Sequence, residues 1–221
     1  MSSIAGNYNL QETMLGSLQQ PQQTQQSTGL SKGGTQNLLQ AEGDASSFSN
    51  YAQQLSEIDQ DLRQTGDESA REGFRDMVQE FARNPGQSDL DAFVQANNSM
   101  ETQDRQDMAS TAREVAEQGN SEQLREFSNQ ASAMYNQDTE TGNQFVQATN
   151  QVLEVSNSEQ QEAQSAEQNL QSFLELSSRT EQARDDQSML QEFMNDVQSA
   201  EDNDQLQGVY DDYYDRLSEA V

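Results

Sequence analysis

Carboxylates and amides supply most of the side chains here that could do chemistry. "DNDQLQGVYDD" (202–212) and "NQDTETGN" (136–143) set them close to a glycine, as a calcium loop does. Such a loop needs oxygen ligands at positions 1, 3 and 5, glycine at 6 and glutamate at 12. Counted from Asp202, position 5 is Leu206. Counted from Asn136, the glycine comes one place late and position 12 is Gln147. Both stretches therefore read as turns between helices. The chain has no Cys and no His, which excludes thiolate chemistry, disulfides, imidazole metal sites and any triad built on His or Cys. Carboxylate pairs are abundant and none stands out. The expectation is a protein that is not an enzyme and has no metal or cofactor.

One aromatic cluster invites a binding role. "VYDDYYDRL" (209–217) carries Tyr210, Tyr213 and Tyr214 among acids. Tyrosine is a common interface anchor, so all three are candidate partner-binding residues. Tyr210, Tyr213 and Leu217 also share one helical face, which is ordinary core spacing. Tyr214 points elsewhere.

The formal charge is -28, from 39 acids against 11 bases, and Lys32 is the single lysine. A chain so acidic repels nucleic acid and anionic lipid, so neither is an expected partner. The acid excess fits a salt-tolerant proteome as well as it fits a surface shaped by basic partners. No apolar run is long enough to cross a bilayer. The start, "MSSIAGNYNLQETMLGSLQQ", lacks the basic and apolar blocks of a secretory signal. The protein is expected in the bacterial cytoplasm, or secreted by a route that uses no cleaved signal peptide.

These residues must be positioned by helices. Only 31% of the chain is hydrophobic, which favours thin layers of paired helices over a thick core. Residues 1–45 form a Gln/Ser-rich segment, as in "LQQPQQTQQSTGLSKGGTQ". It is expected to be disordered, because it has too little apolar surface to offset the entropy of ordering. Ile4, Tyr8, Leu10, Met14 and Leu15 are its scattered apolar residues, candidates for an export or chaperone-binding segment. From about Ala45 the spacing turns helical, and residues 46–221 are read as one all-helical domain.

Phe48, Tyr51, Leu55, Ile58 and Leu62 mark a first helix, and Phe74 to Phe81 a second. "NPG" (84–86) should stop the second, because proline lacks an amide hydrogen and glycine relaxes the turn. Ser88 is the expected cap of the next helix, which runs through Leu90, Phe93 and Val94. "ANNSMETQD" (96–104) is expected to be a polar gap, and Ser121 the cap of a helix carrying Leu124, Phe127, Ala131 and Met134. Phe145 to Ser177 can be written in heptads, with Phe145, Val152, Glu159, Ala166 and Phe173 at one position. Thr149, Ser156, Ala163, Leu170 and Ser177 take the other. Four of these ten are polar, so a partly buried bundle helix is expected rather than a coiled coil. "GQSDLDAF" and "GNSEQLREF" are alike and 33 residues apart, a spacing seen in stacked helix pairs. No third copy is evident. The expected fold is all-α: short helices in stacked bundles behind the disordered tail.

The stretch Phe74–Val155 resembles a known family. "FRDMVQEFARNPG" ends an apolar helix at an Asn-Pro turn, and "SDLDAFVQ" follows as a short Leu-x-x-Phe helix. "DRQDMASTAREVAEQGNSEQLREFSNQASAMYNQ" gives two helices around a tight polar turn, and "DTETGNQFVQATN" opens another. This order resembles the gatekeeper family of type III secretion, the YopN-, InvE- and HrpJ-like proteins. The resemblance implies stacked helical bundles behind a flexible N-terminus. It also implies a role at the export gate, holding back late substrates, with the export apparatus or a chaperone as partner. Two alternatives stay open: a structural or assembly protein of a virion or extracellular filament, whose partners would be assembly subunits, and a salt-adapted helical scaffold.

Overall fold

The computed structural model describes residues 44–83, 87–158, 163–182 and 187–219. The expected disordered tail over 1–45 falls almost wholly outside them, as do the candidate residues Ile4, Tyr8, Leu10, Met14 and Leu15 and the turn Asn84–Gly86. Among the described residues the protein is all-α, with nine helices and no strand. They are α1 (Asp44–Thr65), α2 (Glu68–Arg83), α3 (Gln87–Ser99), α4 (Thr102–Gln118), α5 (Ser121–Gln137), α6 (Thr139–Ser158), α7 (Ala163–Gln182), α8 (Gln187–Ser199) and α9 (Asn203–Glu219). The chain divides into two compact units, residues 1–60 and 61–221. In α1, Leu55 and Ile58 are buried one turn apart. The larger unit carries the rest of the argument.

Short polar devices set the helix limits. Gly66 adopts φ +79°, a conformation that disfavours side chains, and Asp67 Oδ1 then accepts from the Ala70 amide at 3.0 Å to open α2. Between α4 and α5 the cap is Asn120, one residue before the expected Ser121. Its Oδ1 accepts from the Glu122 and Gln123 amides, and Gln123 Oε1 accepts from the Asn120 amide in return. This reciprocal pair satisfies more orphan donors than a serine at 121 would. Ser88 likewise lies inside α3, which already begins at Gln87.

Three stretches expected as turns or gaps are helical instead, and of "DNDQLQGVYDD" only Asp202 lies outside a helix, since α9 begins at Asn203. "ANNSMETQD" is mostly helix, because α3 continues to Ser99 and α4 starts at Thr102. Arg105 allows this: its Nε donates to the Asn97 carbonyl and its Nη2 to that of Met100, both at 3.1 Å. A buried guanidinium thus takes the carbonyls that the end of α3 leaves open. In "NQDTETGN" only Asp138 separates α5 from α6. It accepts from the Thr141 amide and hydroxyl, each at 2.8 Å. Gly142 is therefore helical, and it is glycine because a Cβ there would lie 2.4 Å from the Tyr135 ring.

The helices of the larger unit form two layers. α2, α4, α6 and α8 pack in order as one layer, and α3, α5, α7 and α9 as the other. The well-packed pairs among the described residues all lie within three places of each other along the chain. Stacking of this kind is close to one-dimensional, as in helical-repeat proteins. A row of rings runs between the layers. Phe127 of α5 stacks on Phe145 of α6 at 5.7 Å, Phe145 on Phe173 of α7 at 5.5 Å, and Phe173 on Phe193 of α8 at 5.7 Å. Tyr213 of α9 meets Phe193 edge-on at 4.9 Å. Phe93 of α3 stacks on Phe74 of α2 at 5.9 Å and meets Phe81 of the same helix at a tilt, at 4.8 Å.

The Leu-x-x-Phe element is thus repeated further than the sequence suggested. Leu90/Phe93 and Leu124/Phe127 are followed by Leu170/Phe173 and Leu190/Phe193, all buried. The heptad stretch spans two helices, α6 and α7, rather than one. Thr149, Ser156 and Ser177, polar members of those heptads, are in the core all the same. Thr149 and Ser156 are buried and donate to the Phe145 and Val152 carbonyls one turn back, at 2.9 and 2.6 Å.

Candidate functional site

The three tyrosines of α9 separate. Tyr210 is fully buried and donates to the Asn169 carbonyl at 3.1 Å; burial pushes its phenol well above the ordinary range. Tyr213 is 1% exposed and donates to Asp196 Oδ2 at 2.9 Å, under the Arg216 guanidinium 4.4 Å from its ring centre. Its phenol is also raised, first by burial and then by that bond to Asp196. Tyr214 is half-buried beside Glu175 and Ser172, with the Arg179 guanidinium 5.6 Å from its ring centre. Tyr210 and Tyr213 are core residues that finish the row of rings, and Tyr214 alone of the three reaches the surface.

Arginines are spent between helices. Arg113 of α4 pairs with Asp76 at 3.0 Å and Glu72 at 3.5 Å on α2, and with Glu117 at 2.8 Å on its own helix. Arg125 of α5 reaches Asp89 of α3 at 3.3 Å, and Arg216 of α9 reaches Glu192 of α8 at 2.8 Å. With so few bases so committed, the remaining surface is strongly acidic.

Glutamines join α5 to α7. Gln123, Gln130 and Gln137 lie seven residues apart, two helical turns, and so share a face. Their amide nitrogens reach the Glu167 carbonyl at 2.7 Å, the Leu174 carbonyl at 3.0 Å and Glu181 Oε1 at 2.8 Å, positions also seven apart. The same chemistry recurs elsewhere: Asn136 donates to the Ala92 carbonyl at 2.9 Å, Gln151 to that of Ala200 at 2.7 Å, and Gln198 to that of Gln144 at 3.0 Å. These bonds explain why a helical body can be rich in glutamine: the amides act as inter-helix fasteners.

Next to this ladder, α5 presents Glu122, Glu126, Asn129, Ala133 and Asn136, spaced at three or four along one face. Glu122 is exposed and the other four are half-buried. Ala133, between the two asparagines, brings no polar side chain of its own. Glu126 Oε1 accepts from the Gln130 amide nitrogen at 3.1 Å. Its carboxyl is held above the ordinary range, first by burial and then by Glu122, with Glu175 of α7 adding to the effect. Glu122 and Glu126 carry no ion pair among the described residues. Among the described residues no group of three or more acidic side chains is arranged to hold a metal ion.

Comparison with family models, with curated proteins and with solved structures finds no match. The α5 row went unnoticed in the sequence because each of its residues is ordinary. The signal was available in the spacing of Glu122, Glu126, Asn129, Ala133 and Asn136, and in the heptad of glutamines beside it.

Proposed function

We propose that this chain is a non-enzymatic regulator of a type III secretion system, gatekeeper-like, which controls substrate export by binding other proteins. The observation that supports the reading is the two-layer stack of short helices from α2 to α9. Such a stack offers continuous side walls built from successive helices, a form suited to holding polypeptides. The order of elements from Phe74 to Val155, on which the family resemblance rests, falls within this stack. In this reading the N-terminal segment is the export leader, and the helical body binds the export apparatus or a chaperone.

A clean deletion in a secreting strain tests it, with late substrates blotted in medium and pellet over time. Late substrates are expected in the medium prematurely. Removing residues 2 to 20 should abolish export of the protein itself and leave the body folded. Unaltered secretion timing in the deletion strain would overturn the reading. Failed particle or filament assembly in its place would assign the chain to an assembly.

A further inference from the structure

We propose that α9 is a releasable end helix, seated on α7 and α8 at high ionic strength, freed as one unit at low, and fastened chiefly by Arg216. This device goes beyond the function proposed above and does not rest on it. The first observation is position. α9 is the last helix among the described residues, and its well-packed neighbours, α6, α7 and α8, all precede it. Its other side, with Asp204, Gln207, Gly208, Asp211 and Asp215, is exposed. In a stack held by nearest neighbours, an element covered on one side only can open without unfolding the rest. α2, by contrast, is locked: Gly73 lets it meet the α4 backbone closely, and Arg113 binds carboxylates of both helices.

The second observation is charge. From Gln187 to Glu219 nine acids face a single base, Arg216. Its Nη2 lies 2.8 Å from Glu192 of α8 and its Nη1 3.7 Å from Asp212 of α9. One guanidinium therefore keeps two carboxylates on different helices from repelling each other. It also covers the Tyr213 ring at 4.4 Å, and the Tyr213 hydroxyl donates to Asp196 of α8 at 2.9 Å. Towards α7, Tyr214 lies beside a further acid, Glu175, whose ion pair with Arg179 is 3.4 Å long. Salt acts on this seat in two directions. It weakens the Arg216 pairs, and it relieves repulsion among the acids. Nine acids against one base make the second effect the larger, so salt seats the helix.

The third observation is Gly208. It lies inside α9, and a Cβ there would meet nothing within 4 Å. Packing gives no reason for a glycine, and a glycine inside a helix favours its unfolded state. Apolar burial of Leu206, Tyr210, Tyr213 and Leu217 opposes release. Departure of the helix uncovers Phe193, against which both tyrosine rings rest.

Amide hydrogen exchange of the full chain, read residue by residue by NMR, tests this. At ~0.02 M salt the amides from Val209 to Leu217 should share one protection, at least about tenfold below that of the α5 amides. Raising salt to ~0.5 M should increase it about threefold or more. Arg216→Gln should lower it about tenfold, as loss of an ion pair and a cation–π contact does. Arg113→Gln, on α4, should leave it unchanged, because α9 opens without α4. Gly208→Ala should raise it about threefold. Protection equal to that of α5 would place α9 in one cooperative unit with the rest and overturn the proposal. A steady fall towards Glu219 would mean ordinary fraying and overturn release as a unit. Protection indifferent to salt, or lowered as much by Arg113→Gln as by Arg216→Gln, would overturn it too.

Discussion

Phe173 tests whether the row of rings holds the two layers together. It is fully buried and stacked on both sides, on Phe145 at 5.5 Å and on Phe193 at 5.7 Å. Phe127 is equally buried but has one ring neighbour, Phe145 at 5.7 Å. Replacing either with leucine keeps an apolar side chain of similar bulk and costs up to about 1.5 kcal/mol from imperfect packing. Each lost ring pair adds about 0.5–1.5 kcal/mol. Phe173→Leu loses two pairs and should cost about 2–4 kcal/mol, while Phe127→Leu loses one and should cost about 1 kcal/mol less. For a chain of this size 1 kcal/mol moves the melting temperature by about 2–4 °C, so the difference is measurable by calorimetry. A double-mutant cycle on Phe145 and Phe173 should return a coupling of about 1 kcal/mol. Equal melting temperatures for Phe127→Leu and Phe173→Leu would refute the argument. The rings would then be apolar filler, and stacking would contribute nothing of its own.

Gly73→Ala should destabilise by about 1–3 kcal/mol or more, because its Cβ would sit 1.9 Å from the Ala109 backbone oxygen where α2 crosses α4. Gly208→Ala, with nothing within 4 Å of the new Cβ, should instead stabilise by about 0.5–1 kcal/mol; chemical denaturation separates the two signs. The Glu126 carboxyl is raised by burial, so its charged form opposes folding. That penalty is absent below the unfolded value of about 4.3 and appears as pH rises through the folded value. Glu126→Gln should therefore raise the melting temperature at neutral pH and leave it unchanged near pH 4; a gain of equal size at both would refute the assignment. Salt should raise the melting temperature between low ionic strength and about 1 M, where screening is nearly complete, and a flat profile would mean the acids are already paired or well separated.

The helices were legible in the sequence where apolar residues recur at helical spacing. Phe74, Met77, Val78 and Phe81 on α2, and Leu206, Tyr210, Tyr213 and Leu217 on α9, are buried as that spacing implies. Boundaries were misread where polar residues do helical work. Asn97 and Ser99 look like a loop, but they back-bond to the Phe93 and Ala96 carbonyls at 2.9 and 2.8 Å inside α3. Asn120 was passed over as a cap because the capping box depends on Gln123 returning a bond, which composition alone does not reveal. The layering was hidden for a different reason. Phe127, Phe145, Phe173 and Phe193 are unevenly spaced along the chain, since helices and turns differ in length, and only packing brings them into one row.

On α5 the bonds that fasten one face leave polar atoms stranded beside it. On one side Gln123, Gln130 and Gln137 give their amide nitrogens to α7 and fasten the layer. The oxygens of Gln130, Asn129 and Asn136 are left buried with nothing to accept, and two carboxylates lie one turn apart on the same helix. A chain shaped for stability alone would place a cation here, since Arg113 shows how one guanidinium can serve three carboxylates. Salt adaptation explains acids spread over a surface, where water and ions solvate them. It gives no reason to bury their neighbours' acceptors. Gln130 and Asn136 show where the cost arises: an amide that gives its nitrogen to a neighbouring helix carries its oxygen into the same closed layer, where water cannot reach it.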